Sequence, residues 1–408
     1  MAKLPVKFFR SDDAGAPTLS GSVSALLNVL DGCLLTGYNT KAVTSITQTG
    51  NVATMTIQAG HGFVPYQVIA VSGANEAAYN GDFLITGVSS TTLTFAVTGN
   101  PSSPATGTIS AKVSPADWTK SFSGTNRASY QNADSGGSRY HLRVDDGQSL
   151  WSTPGAQTAA VGMYKTMTGI DIGTGVVPPS SAWASNALPW HKSNATNSTG
   201  KPWILIASAK TFYLFVWPDA TYCILHGFGD FTSNLPSDVN NAFLLHGNYS
   251  TSTYTAAAVA ATSVNLYPSG VFVTNIPAQQ AWAGMDYSGY NTGGVLSLVG
   301  DRRFGGYGLG DAGMPFPNPL DNGFVPSPLL FVERLDSTGR VGMRCASVPG
   351  LYTPMHANPF PGGGLSGVTP NYTVLPGFAA NGGNFVSIPV YLGVAVGNFM
   401  VDLTSVWL

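Results

Sequence analysis

The chain has 408 residues, with 18 Lys and Arg against 20 Asp and Glu, a net charge of −2 and a charged fraction of only 9%, where roughly 25% is usual. Hydrophobic residues make up 44%, so the low charge does not signal disorder, which combines low hydrophobicity with high net charge. Scarce Lys and Arg argue against nucleic acid as a main partner, which leaves a neutral, Gly- and Thr-rich, aromatic-bearing chain, expected to be mainly β and long enough to bury a sizeable core.

Residues 1–10 contain no apolar stretch and cleavage site of the signal-peptide kind, so synthesis and folding in a cytosol are expected. One helix stands out next. From Val23, apolar residues recur at Leu26, Leu27, Leu30 and Leu34, the spacing of one helical face. Ser20 or Ser22 can cap its start, and Gly37 suits a left-handed stop. Such an amphipathic helix packs on a sheet; the alternative is that its stripe docks a neighbouring subunit.

Residues 41–113 read as a separate small β domain. Thr49-Gly50-Asn51 is a turn followed by alternation through Ala53, Met55 and Ile57. Strand-like runs follow at 66–71, 82–88, 92–97 and 106–113, separated by Ser72-Gly73, Asn80-Gly81 and Gly99-Asn100-Pro101. Short strands at this spacing predict a small barrel or sandwich. The expected organisation is a main body from 1–40 plus 114–408, with 41–113 inserted into it.

The body continues in short strands. In 139–144, Tyr140, Leu142 and Val144 share a face, and 202–207 with 212–217 flank Ser208-Ala209-Lys210 as a hairpin. Further runs are expected at 222–225, 271–274, 295–299, 329–334, 341–345 and 385–396. Long Pro-, Gly- and Asn-rich loops are expected at 174–202, 304–328 and 349–384. The fold class is thus a multi-stranded β-sandwich or barrel body with one N-terminal amphipathic helix and an inserted small β domain. No run of about eighteen apolar residues is present, so membrane insertion is not expected.

Signatures of chemistry are sparse. Cys33, Cys223 and Cys345 lack metal-site spacing and read as free buried thiols. The nucleophile elbow and the phosphate loop are missing. Gly306-Tyr307-Gly308-Leu309-Gly310 lacks the flanking strand and helix of a dinucleotide loop. No two histidines have the i, i+4 spacing of a helical zinc site. Asp12-Asp13 and Asp145-Asp146-Gly147 are paired carboxylates, but Asp-Gly after a strand is first of all turn chemistry. Asp301-Arg302-Arg303 reads as a local ion pair. Trp183 and Trp190, with Trp151 and Tyr164, surround the polar 174–202 segment. Aromatic anchors of this kind serve protein interfaces, internal packing, or stacking on a glycan. No catalytic, cofactor or metal residue is assigned.

Several segments together resemble a family of virion structural proteins of tailed bacteriophages. They are Val6-Lys7-Phe8-Phe9, residues 15–21, Leu30-Asp31-Gly32-Cys33-Leu34, residues 118–127, Leu142-Arg143-Val144-Asp145-Asp146, residues 171–175 and Lys210-Thr211-Phe212-Tyr213-Leu214. The inserted segment, with Gly60-His61-Gly62-Phe63 and Tyr79-Asn80-Gly81-Asp82-Phe83, is similar to small β modules of phage tail proteins. The resemblance implies a non-enzymatic structural component of the virion and does not itself place it on tail, baseplate or head; the main expectation is a component of the tail or baseplate. It would assemble with copies of itself, as a trimer or hexamer, and with other virion proteins. The alternatives are a receptor- or glycan-binding adhesion protein and a decoration protein of the capsid surface.

Overall fold

The computed structural model of the chain describes residues 6–58, 60–147, 157–177, 188–220, 223–233, 239–245, 247, 281–286, 295–299, 325–334, 341–354, 370–379, 382–391, 396–405 and 407. Among them the fold is mainly β. Three antiparallel sheets of twelve, six and seven strands accompany one N-terminal helix.

The helix begins at Ala25–Leu30 and widens into π geometry over Asp31–Thr36, ending at Gly37 with φ +69°. Leu26, Leu27, Leu30 and Leu34 are buried together, as their spacing requires, and so is Cys33. The start departs from expectation. Ser24 precedes the first turn in a left-handed conformation, and no neighbouring side chain caps the helix. Ser20 Oγ accepts the Ser22 N–H instead. The cap comes from far away: Asp146 Oδ2 accepts the Leu26 N–H at 2.8 Å. At the other end, the carbonyls of Cys33 and Leu34 accept the N–H groups of Ala116 (2.9 Å) and Trp118 (3.0 Å). Groups that a helix leaves unpaired at its two ends are thus satisfied by segments remote in sequence.

The twelve-stranded sheet runs from Val6–Arg10 at one edge to Thr373–Ala379 at the other. Val6–Arg10 pairs with Trp203–Ser208, which forms the expected hairpin with Thr211–Val216. Ser208 Oγ closes that turn by accepting the N–H groups of Lys210 and Thr211. Both hairpin strands are buried throughout. Because successive strand residues point to opposite faces, Trp203, Leu205, Phe212 and Leu214 enter one core, while Ile204, Ile206, Tyr213 and Phe215 enter another. The second core also holds Val386, Ile388, Phe399 and Val401, from strands near the opposite end of the same sheet. Phe215 meets Phe399 with ring centroids 6.0 Å apart, and the Tyr213 hydroxyl donates to the Pro349 carbonyl at 2.7 Å. The sheet therefore curls until its first strands face its last, as in a half-barrel.

The six-stranded sheet contains Thr119–Gly124, Arg127–Gln131, His141–Asp145, Gln157–Gly169, Ile172–Val177 and Leu188–Ser193. The last two take up about a third of the segment 174–202 read from sequence as a long loop. Leu188–Ser193 is buried at all six positions. A strand covered on both faces need not show the polar–apolar alternation that reveals a half-exposed one.

All seven strands of the third sheet fall within residues 38–113. Tyr38–Ala42 pairs with Gly107–Val113, and Ser45–Thr49, two residues on, pairs with Val52–Thr56. Val43 N–H donates to Ile109 O and Thr44 N–H to Thr56 O, so the bent stretch 38–49 draws the two ends of the sheet toward each other. Tyr38 lies opposite Val113, which places the beginning and end of the stretch side by side. Lys7, on the edge strand of the large sheet, is buried against it. Its ammonium donates to Asp82 (2.7 Å), Ser114 Oγ (2.8 Å) and the Pro115 carbonyl. The apolar core is continuous across this junction, running from Leu26 and Trp203 through Trp118 to Ile69 and Phe95.

Cys33 and Cys223 are buried free thiols, and burial pushes both well above the ordinary range for a thiol. The side chain of Cys345 lies outside those described.

Candidate functional site

Of the three tryptophans expected to make contacts, Trp151 and Trp183 lie outside the described residues. Trp190 is fully buried, at 0% exposure. Its indole N–H donates to the Leu245 carbonyl at 2.9 Å; its ring stacks on His226 at 5.0 Å and meets Phe212 edge-on at 6.1 Å. A side chain whose polar atom and faces are already used internally is not a contact residue for a glycan or a neighbouring subunit. The interface or glycan expectation is corrected for this residue: Trp190 is core. Trp118, Trp203 and Trp407 follow the same rule, each donating its indole N–H to a main-chain carbonyl, the usual way a buried Trp is satisfied.

The paired carboxylates do not form a catalytic pair. Asp13 is buried beside Arg10, whose Nη2 lies 2.7 Å from Oδ1, and it accepts the Tyr38 hydroxyl at 2.8 Å. Burial raises the neighbouring Asp12 carboxyl above its ordinary range, against the lowering effect of Arg10. Asp145 and Asp146, adjacent on a strand end, diverge. Asp145 joins a partly exposed network with Arg127 (2.8 Å), Arg143 (3.4 Å) and, through both arginines, Asp171. It also accepts the Gly147 N–H, as expected of a turn. Asp146 turns inward to the helix start and to the ammonium of Lys192, which also donates to the Ser22 carbonyl at 2.6 Å. Desolvation raises the Asp146 carboxyl and Lys192 opposes it. Two adjacent carboxylates facing different partners cannot share one substrate. Among the described residues, no three His, Cys, Asp or Glu side chains gather as a metal-binding group.

His61 is likewise engaged within its loop. Its Nδ1 accepts the Phe63 N–H at 3.0 Å, and its Nε2 lies 2.9 Å from the Ser89 carbonyl. Asp301-Arg302-Arg303 and Gly306-Tyr307-Gly308 lie outside the described residues.

The surface feature that stands out is the outer face of the seven-stranded sheet. Register aligns Ser45, Thr56 and Thr92 in one row, Thr47, Thr54 and Thr94 in the next, and Thr49, Val52 and Ala96 in the third. Thr86 Oγ1 extends the middle row, 3.0 Å from Thr94 Oγ1. These residues are all exposed or half-exposed, and none is charged. The inner partners Ile46, Ala53, Met55, Leu93 and Phe95 are buried, so strict alternation fixes which side chains face outward. Val52, Leu84 and Val88, all within this sheet, are three of the large hydrophobic side chains left exposed; Ile172, on the Ile172–Val177 edge strand, is another. The cross-strand register that builds this patch could have been sought in the repeated Thr-x-Thr at 47–49, 54–56 and 92–94, but pairing order cannot be read from one strand at a time.

No protein-family profile matches the sequence, and no curated protein matches it. Among solved structures, an endosialidase of phage phi92 is similar at 11% sequence identity and a TM-score of 0.17, over 87% of this chain and 58% of that one. The chain thus spans 58% of the length of that protein, and a TM-score of 0.17 is far below what a shared fold gives.

Proposed function

We propose that the chain is a non-enzymatic structural component of a tailed-phage virion, on the tail or baseplate, that works by assembling with copies of itself and with neighbouring virion proteins. In this reading residues 41–113 form an inserted domain that presents its outer face to a neighbour. The observation that carries the assembly role is that face: three rows of Thr, Ser, Val and Ala, without charge, that include exposed Val52, with exposed Leu84 in the same sheet. Depletion of charged residues marks the centre of protein interfaces, and a chain with only 9% charged residues extends that property over much of its surface. The virion setting rests on the sequence resemblance. Closed symmetry is the rule for homo-oligomers, and a trimer or hexamer suits the axis of a tail.

Light scattering on the purified full chain tests the assembly role. An oligomer is expected, and Val52→Glu with Leu84→Glu is expected to weaken it while leaving the melting temperature unchanged. A monomer at high concentration overturns it. Absence of the protein from purified particles overturns the virion setting.

A further inference from the structure

We propose that His141, Gln131 and Arg139 form an acid-sensitive latch. With the imidazole neutral, the latch holds the end of the loop of residues 132–139; protonation of the ring releases that end together with the Arg139 guanidinium. His141 opens the strand His141–Asp145, and Gln131 ends the neighbouring strand Arg127–Gln131. Both residues are 8% exposed. Arg139 lies in the connection between the two strands and is exposed.

The hydrogen bonds fix which ring nitrogen carries the proton. The Ser129 hydroxyl donates to Met167 Sδ at 3.3 Å, so its oxygen is left to accept from His141 Nδ1, 3.4 Å away. With its proton on Nδ1, the ring presents a lone pair at Nε2, and Gln131 Nε2 donates to it at 3.3 Å. The same amide nitrogen donates to the Arg139 carbonyl, and the amide oxygen accepts from Arg139 Nη2 at 3.4 Å. One amide thus holds the ring, a backbone carbonyl and a guanidinium at once. Arg139 needs holding, since its φ is +60°, a left-handed conformation that a long side chain seldom adopts.

Protonation puts a second N–H on the imidazole, at Nε2, facing the donating nitrogen of Gln131. Turning the amide over restores that contact but sets its oxygen against the Arg139 carbonyl and its nitrogen against the guanidinium. No orientation satisfies all three partners. Either a buried cation goes without an acceptor or Arg139 loses both holds, and the exposed Arg139 is the one free to move. Of the charged and titratable groups around the ring, Arg139 and Arg143 lie on its own segment, Arg143 engaged by Asp145 and Asp171. Tyr164 stands opposite on Gln157–Gly169, and Phe122 of Thr119–Gly124 packs on the ring. Burial and the Arg139 guanidinium hold the imidazole below its ordinary value of 6.5. The proton therefore binds more tightly once the latch is open, and acid drives opening. Asn132 and Ser138 are anchored separately: the Asp230 carboxylate accepts Asn132 Nδ2 at 3.3 Å and the Ser138 N–H at 2.7 Å, which confines the motion to the Arg139 end.

The test is hydrogen–deuterium exchange of the peptide spanning residues 132–140 in the full chain, between about pH 8 and pH 5, corrected for the intrinsic pH dependence of exchange. The Tyr140 N–H, which donates to Ser138 Oγ at 3.4 Å, reports on the latch. In the wild type, protection is expected to fall below pH 6.5, by up to about tenfold for each unit by which the folded imidazole lies under that value. In His141→Gln the fall should disappear, and in Gln131→Leu the peptide should exchange fast at every pH. Asp230 keeps its carboxylate in both variants, so a fall of equal size in His141→Gln assigns the response to Asp230 and overturns the proposal. A wild type without pH dependence overturns it as well. If His141→Gln does not fold, Gln131→Leu carries the comparison, and wild-type protection in that variant at about pH 8 overturns the latch.

Discussion

The Asp146 carboxylate accepts the Leu26 backbone N–H at 2.8 Å, across 120 residues of sequence, and its other oxygen meets the Lys192 ammonium. Both side chains are buried. Removing one member of such a pair strands the other charge away from water. Asp146→Ala is expected to cost about 3–5 kcal/mol in urea unfolding, well beyond the ~1 kcal/mol of an ordinary lost helix cap. Asp146→Ala combined with Lys192→Met should recover part of that loss. If the double variant is as unstable as the sum of the two single variants, the charges are not coupled.

Trp190→Ala should act on the fold rather than on any contact with a partner. Truncating a fully buried Trp costs about 3–5 kcal/mol, and here it also leaves the Leu245 carbonyl without its indole donor. The expected result is a lower melting temperature of the isolated chain. Unchanged stability with impaired attachment of the particle would return this residue to the surface role.

His141 makes stability depend on pH. Its ring is buried, and burial together with the Arg139 guanidinium holds the imidazole below its ordinary value of 6.5. The unfolded chain therefore takes up this proton at a higher pH than the folded chain. The contribution of the neutral ring is complete above pH 6.5 and is lost as the pH falls from there through the folded value. Melting curves between about pH 5 and pH 8 should show a decline for the wild type on the acid side that is shallower in His141→Gln. Parallel profiles would remove His141 as the cause.

Gly37 stands where the helix ends and the seven-stranded sheet begins. Its φ is +69°, and a Cβ there would overlap the Val113 carbonyl oxygen. Gly37→Ala combines a strained backbone, about 1–3 kcal/mol, with a steric overlap. It is expected to be markedly less stable than Gly50→Ala, since Gly50 also has a positive φ but open space around it. Similar losses in the two variants would mean that the close approach to Val113 is unimportant.

What was legible in the sequence was local. The face made by Leu26, Leu27, Leu30 and Leu34 and the hairpin around Ser208 both announce themselves through spacing and turn chemistry, and both form. The helix cap was invisible because its acceptor, the Asp146 carboxylate, lies 120 residues away; Ser20 and Ser22, the nearby candidates, do other work or none. Trp190 misled because its neighbours His191, Lys192 and Ser193 are polar, the usual mark of a surface, yet all three are buried in the interior. Asn132 and Asp230 illustrate the same limit, since nothing in either segment names the other.

Among the described residues, the strand Val6–Arg10 has one neighbour in the large sheet, Trp203–Ser208. During synthesis at about 5–20 residues per second, the first strand waits roughly 10–40 s for that neighbour to appear. Among the described residues, the strands within residues 38–113 pair with one another, so their ladders close without a later described segment. The order of emergence thus leaves Val6, Phe8 and Phe9, destined for two different cores, without their partner strand until residues 203–208 have been made.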